Sequence, residues 1–151
     1  MNPQETVQAL MASVQKGHFE EAGTYLSDDF QFSGTFPEPI NRETWLGMSA
    51  SLKMAFTHLD YRFKVDNAEG NTVTATMQLS GLNRGAFDLT GINRGVISAT
   101  HRNFSTAMEN NKITVKNNKV SSWVVEPTEG AGFKEILNQL GHKVPKAEKN
   151  M

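Results

Sequence analysis

Moving a proton beside a carbonyl without a metal requires an imidazole or a carboxyl whose pKa is brought toward neutrality by burial, together with a donor for the developing oxyanion. The chain offers few such groups. His101 lies in a β-prone stretch, where it shares parity with Ala99, Asn103 and Ser105 while Arg102 and Phe104 take the other face. A small, polar set of that kind either lines a cavity or faces solvent, and His101 is the candidate acid or base on the first reading. Glu126 follows the strand that carries Trp123, where a carboxylate would orient a ligand or close a strand-end salt bridge. His18, His58 and His142 fall at helix ends or boundaries, where an imidazolium complements a helix C-terminus. Asp28, Asp29 and Asp60 sit where aspartate caps or ends an element through its short side chain.

Ligand pockets are mainly apolar with a few placed polar atoms. The side chains suited to surround such an interior are Tyr25, Phe30, Phe32, Trp45, Met48, Met77, Phe104 and Trp123, several of which must be core. GLNRG (Gly81 to Gly85) and GINRG (Gly91 to Gly95) form a near repeat around Phe87 and Leu89. They read as two glycine turns with an exposed arginine each, or as a clamp in which Arg84 and Arg94 converge on one anion. No histidine pair has the helical i, i+4 spacing of a zinc site, and the chain has neither a P-loop nor GxGxxG, so neither metal nor cofactor is expected.

The elements that must position these groups can be read from spacing. Asn2, Pro3 and Glu5 start a helix whose stripe is Val7, Leu10, Met11 and Val14, with Gly17 as its stop. Phe19, Ala22 and Leu26 predict a second helix ending near Ser27. Phe30 and Phe32 alternate in a short strand, and GTFPEPI breaks it into a loop at a pocket rim. Asn41 caps a third helix on which Trp45, Met48, Leu52, Ala55, Phe56 and Leu59 share a broad face. Tyr61, Phe63 and Val65, then Val73, Ala75, Met77 and Leu79, alternate on either side of the turn AEGN and predict a hairpin. Two or three further strands fill Val96 to Val125, broken by ENN and again by KNN. Phe133, Ile136, Leu137 and Leu140 outline a closing helix that stops at Gly141. Helices followed by mostly antiparallel strands give an α+β class.

At 151 residues, with 38% hydrophobic and 21% charged, the chain has the size and composition of one globular domain. That domain is expected over 1–142, with a charged, frayed tail at 143–151. Lysine and arginine total 15 against 16 acidic residues, which leaves no basic field for nucleic acid or an anionic membrane. The absence of cysteine excludes disulfides, thiolate metal sites and a cysteine nucleophile. With no leader pattern at MNPQETVQAL, a cytoplasmic protein is expected.

Three stretches in order, SDDFQFSG after a helical pair, LDYRFKV, and VKNNKVSSWVVEPTEGAGFKEILNQLG, resemble SnoaL-like proteins, the polyketide-cyclase branch of the nuclear-transport-factor-2 (NTF2)-like superfamily. In the last stretch Lys119, Val120, Trp123, Glu126, Gln139, Leu140 and Gly141 follow the family order. The resemblance implies a cone-shaped, strongly bent, mostly antiparallel sheet wrapped by about three N-terminal helices and a short C-terminal one, the cystatin-like α+β barrel. It also implies an internal pocket for an apolar or carbonyl small molecule, and a homodimer through the outer sheet face. The family's usual histidine and aspartate fall on Asn83 and Val124, neither of which can act as acid or base, so Asn83 enters the candidate site as a ligand contact only. The functions implied are a small apolar-molecule binding protein or a cofactor-independent lyase or isomerase, with a non-catalytic binding or dimerising scaffold as the alternative. A ketosteroid-isomerase-like or epoxide-hydrolase-like enzyme would additionally require carboxylates such as Asp28, Asp60 or Glu126 inside the cone.

Overall fold

A computed structural model describes residues 1–92 and 94–141. The expected tail, His142 and Asn93 lie outside the described residues. The first helix, α1 (Pro3–Lys16), begins with a capping box: Glu5 N–H donates to Asn2 Oδ1 at 2.8 Å and Asn2 N–H to Glu5 Oε1 at 2.9 Å. It ends at Gly17 in the left-handed conformation, and its stripe of Val7, Leu10, Met11 and Val14 is buried. The second helix is shorter than its spacing suggests. It covers Phe19–Thr24 (α2), and Leu26 already belongs to the strand β1 (Leu26–Ser33).

After the short strand β2 (Ile40–Asn41), α3 (Arg42–Ala55) starts with Thr44 N–H donating to Asn41 Oδ1 at 2.9 Å. Phe56 and Leu59 do not extend this helix as expected; they face the core from β3 (Phe56–Asp60). A register irregularity between Thr57 and Asp60, with His58 at φ 57°, turns two residues three apart to the same side. A bulged strand thereby imitates helical spacing. The chain continues through β4 (Lys64–Glu69), β5 (Thr72–Met77), β6 (Ser80–Asn83), β7 (Phe87–Asp88), a single 3-10 turn at Thr90–Ile92, β8 (Val96–Ile97), β9 (Asn103–Ser105), β10 (Glu109–Lys116), β11 (Lys119–Val125) and α4 (Phe133–Gln139). ENN does not break a strand: Glu109, Asn110 and Asn111 are the first three residues of β10. KNN does turn the chain, with Asn117 and Asn118 both at positive φ between β10 and β11.

The main sheet runs β2-β1-β11-β10-β5-β4, antiparallel except for the β1 and β11 pair. A second sheet, β3-β6-β9, continues it around a bend. Three strands turn at one level: Gln78 N–H donates to Tyr61 O at 3.0 Å, Thr106 N–H to Leu79 O at 2.9 Å, and Leu79 N–H to Thr106 Oγ1 at 3.1 Å. The bend makes one side concave. The helix α1 packs on β10, β5 and β4, α3 packs on β1, and α4 docks on β9. Gln139 holds α4 as a peptide unit would, accepting from Ser105 N–H at 2.8 Å and donating to Ser105 O at 2.8 Å. That pairing gives the QLG segment a structural function. The result is the bent, helix-wrapped α+β sheet expected from the sequence.

Candidate functional site

The concave side encloses a cavity of about 110 Å³. Its lining begins at the bend with Tyr61, Leu79 and Thr106, all contributed by residues that turn the sheet. Phe32 of β1, Trp123 and Val125 of β11 and Met77 of β5 supply the sheet wall; Trp45, Met48, Ser49 and Leu52 of α3 cover it. The loop after β1 adds Thr35 and Phe36, and α4 adds Phe133 and Ile136. GTFPEPI is therefore the rim segment expected from its composition. Its first glycine is required: Gly34 has φ 100°, and a Cβ there would collide with the carbonyl oxygen of Val125.

The rings form two connected groups. Phe32, Trp45 and Trp123 stand 5.9 to 6.4 Å apart between centroids. Phe133 meets Phe36 at 5.7 Å and Phe87 at 5.9 Å, and Phe32 joins the groups through Phe36 at 6.4 Å.

Into this apolar lining β10 sends two polar residues. Its inward face reads Glu109, Asn111, Ile113, Val115, all buried, so the strand is polar at the cavity end and apolar at the other. Asn111 Oδ1 accepts from Trp123 Nε1–H at 2.8 Å, and its Nδ2–H donates to Glu109 O at 3.2 Å. Glu109 is 8% exposed, opposite Met77 in the register. Among the described residues its carboxyl makes no hydrogen bond or ion pair, and burial alone pushes it from 4.5 up to about 7. Tyr61 is 6% exposed, its hydroxyl likewise without a partner, and burial drives the phenol upward so that it stays protonated. Glu109 and Tyr61 are the only titratable residues among the described residues lining the cavity. A carboxyl that titrates near neutrality and a phenol that only donates are the components of metal-free proton transfer.

Five of the nine anticipated ligand contacts line this cavity: Phe32, Trp45, Met48, Met77 and Trp123. The other four lie outside its lining. Phe30 is core beneath Trp45, in edge-to-face contact at 5.6 Å, and Phe104 packs the same way on Phe56 at 4.9 Å. Tyr25 caps α2 and is half-buried. Asn83 is fully buried, and its amide is spent on the fold: Nδ2–H donates to Ala55 O and Gly85 O, while Oδ1 accepts from Thr100 N–H and Oγ1–H.

Neither anticipated acid or base lines the cavity. His101 is exposed at φ 59° in the turn before β9, and Glu126 is exposed just beyond β11. Asp28 pairs with Arg42 at the surface at 2.9 Å, and Asp60 is exposed beside Arg62, so Asp28, Asp60 and Glu126 are all solvated. The two arginine turns also resolve differently from their repeat. Gly81 to Asn83 are strand β6, with Arg84 N–H on Ala55 O, whereas Arg94 N–H closes the 3-10 segment on Leu89 O.

The polar pair Glu109 and Asn111 was hidden by reading ENN as a strand break. The signal that finds it is the alternation of β10 continued backward by two more steps, from Val115 and Ile113 to Asn111 and Glu109. Among the described residues no group of acidic or histidine side chains could hold a metal ion, and no helix is long and apolar enough to cross a membrane.

No protein-family model matches the chain, and no curated protein matches its sequence. Solved structures do match. A candidate polyketide cyclase from Xanthomonas campestris pv. campestris superposes with a TM-score of 0.69 at 14% identity, over 91% of this chain and 96% of that one. A candidate hydroxylase from Streptomyces galilaeus gives 0.70 at 15% identity, over 96% and 85%. A protein of ketosteroid-isomerase-like fold from Catenulispora acidiphila, solved in complex with trimethylamine, gives 0.63 at 17% identity, over 93% and 98%. The chain thus has the fold of these structures, the NTF2-like, ketosteroid-isomerase-like α+β fold.

Proposed function

We propose that the protein is a cofactor-independent acid–base enzyme, a lyase or isomerase, acting on a small and largely apolar carbonyl compound. Glu109 takes a proton next to the carbonyl, and the Tyr61 hydroxyl donates to the oxygen on which charge develops. The observation that carries this reading is a single carboxyl, buried and without a partner among the described residues, facing a mainly apolar cavity. Removing a carboxyl from water without a counter-charge costs stability, and such costs concentrate where chemistry needs a shifted pKa. The cavity of about 110 Å³ is somewhat smaller than the apolar cavities of about 150 Å³ that admit benzene. A group smaller than one six-membered ring, such as a short branched chain, fills it, and a larger substrate extends through the mouth.

Proton abstraction can be assayed without knowing the product. Small ketones and cyclic enones are incubated with the protein in deuterated buffer, and loss of the α-proton is followed by NMR. Exchange should depend on Glu109 by a factor of about 10² to 10⁴, the usual weight of one general base. Exchange that persists in Glu109→Gln would remove Glu109 from the reaction. A second reading, binding without turnover, is favoured by Asn83 and Val124 standing where the family's acid and base are expected; it predicts a retained ligand and no exchange. A homodimer through the outer sheet face, where Val124 is 42% exposed, belongs to either reading and is read from light scattering.

A further inference from the structure

We propose that this cavity also binds small organic cations, quaternary or tertiary alkylammonium groups, seated among the aromatic rings with Glu109 as their counter-ion. The inference uses the site of the proposed reaction but needs Glu109 as a counter-charge rather than as a base, so it stands whether or not turnover occurs. It rests on that carboxyl standing together with a continuous set of aromatic rings and no cationic side chain among the described lining residues.

Ring faces attract cations, tryptophan most strongly, and attract them more when water is excluded. Seven aromatic side chains line the cavity, including both tryptophans of the chain. The groups Phe32, Trp45, Trp123 and Phe36, Phe133, Phe87 are continuous through ring contacts. Among the described lining residues there is no lysine, arginine or histidine, so no cationic side chain competes for the carboxylate. The indole donor on the neighbouring strand, Trp123 Nε1–H, is taken by Asn111 at 2.8 Å. Lys112, next along β10, points to the exposed face. Among the described residues the lining holds this buried acid and no cationic side chain, so the charge that would balance it is one supplied from outside. An alkylammonium group, with a charge spread over methyl groups, meets both parts of the lining at once: its methyls contact rings and its charge faces Glu109.

Binding is then linked to protonation. A cation favours the ionised carboxylate, so below neutrality each binding event releases a proton from Glu109, and affinity rises with pH until the group is fully ionised. Tyr61 is the other titratable lining residue, and its burial holds it neutral throughout this range.

The test compares choline with 3,3-dimethylbutan-1-ol, its neutral isostere, by isothermal titration calorimetry and by the fluorescence of Trp45 and Trp123, both of which report from the cavity wall. The full chain is used at pH 8 and pH 5.5. The expected result is a preference for the cation of about tenfold or more at pH 8, the scale of a desolvated cation–π and ion-pair contact, shrinking toward parity at pH 5.5 and in Glu109→Gln. Trp45→Leu weakens choline more than the isostere and provides the check should Glu109→Gln fold poorly. Equal affinities at both pH values, or binding of the alcohol alone, would overturn the proposal while leaving the exchange assay to decide the reaction. No binding of either compound would overturn it as well.

Discussion

Glutamine has almost the shape of glutamic acid and no charge, so Glu109→Gln isolates what the buried carboxyl costs the fold. In the folded state the group titrates at about 7 rather than 4.5, because burial penalises the ionised form. The folded protein therefore holds a proton that the unfolded chain has released between those two values. Stability from this group is complete below pH 4.5, falls as pH rises through the window, and is flat above about 7. A shift of this size corresponds to about 3 kcal/mol at about 1.4 kcal/mol per unit, and water entering at the cavity mouth reduces it to about 2 kcal/mol.

Urea unfolding of wild type and Glu109→Gln at pH 4.5, 5.5, 6.5 and 8 measures the difference between the two proteins. Every other titrating group cancels in that difference, as does any fixed effect of the amide on packing. The variant should gain about 2 kcal/mol on the wild type between pH 4.5 and pH 8. A stability difference that does not change with pH would refute the reasoning, since it would mean that Glu109 ionises at its ordinary pKa and is not desolvated.

Tyr61→Phe removes a hydroxyl with no partner among the described residues, so stability should change by less than about 1 kcal/mol while α-proton exchange slows about 10²-fold or more. Trp123→Phe leaves Asn111 Oδ1 without its donor and should cost about 1 to 3 kcal/mol in denaturant unfolding; no loss would mean that Asn111 finds another partner or that water replaces the indole. Gly34→Ala, which meets the Val125 carbonyl at a positive φ, should destabilise by about 3 kcal/mol, read as a lowered Tm. His101→Ala and Glu126→Ala, both exposed, should stay within about 0.5 kcal/mol of wild type and leave ligand affinity unchanged.

The framework was legible because it depends on local rules. Asn2, Pro3, Glu5 and Gly17 define α1 through capping chemistry, Asn41 starts α3, and the apolar stripes name the buried faces. Where two rules produce the same spacing, the reading fails. Phe56 and Leu59 are three apart on a bulged strand, and only tertiary pairing with β6 distinguishes that from a helix. The aromatic wall was half legible for a related reason. Phe30 and Phe32 lie on one strand, yet the first is core and the second is cavity, because the bend and α3 decide which ring has open space beside it.

The polar residues of the site were the least legible. Burying Glu109 and Asn111 contradicts the usual behaviour of such residues, and ENN looks like a turn to any rule built on propensity. Asn111 is tolerated because Trp123 satisfies it from the next strand, a pairing between residues twelve apart that needs the β10 and β11 register. The Glu109 carboxyl has no such partner among the described residues. Local rules fail at this position because the fold accepts a cost there, which the proposed acid–base role would explain.

The most direct test of that claim is the titration of Glu109 itself. Side-chain carboxyl resonances are followed by carbon-13 NMR from pH 3 to 9 in protein labelled at glutamate, with Glu109→Gln to assign the signal. One resonance, absent from the variant, should titrate near 7. If all glutamate resonances instead titrate in the ordinary range around 4, Glu109 is hydrated in solution, and the buried carboxyl on which both the reaction and the cation site depend does not exist.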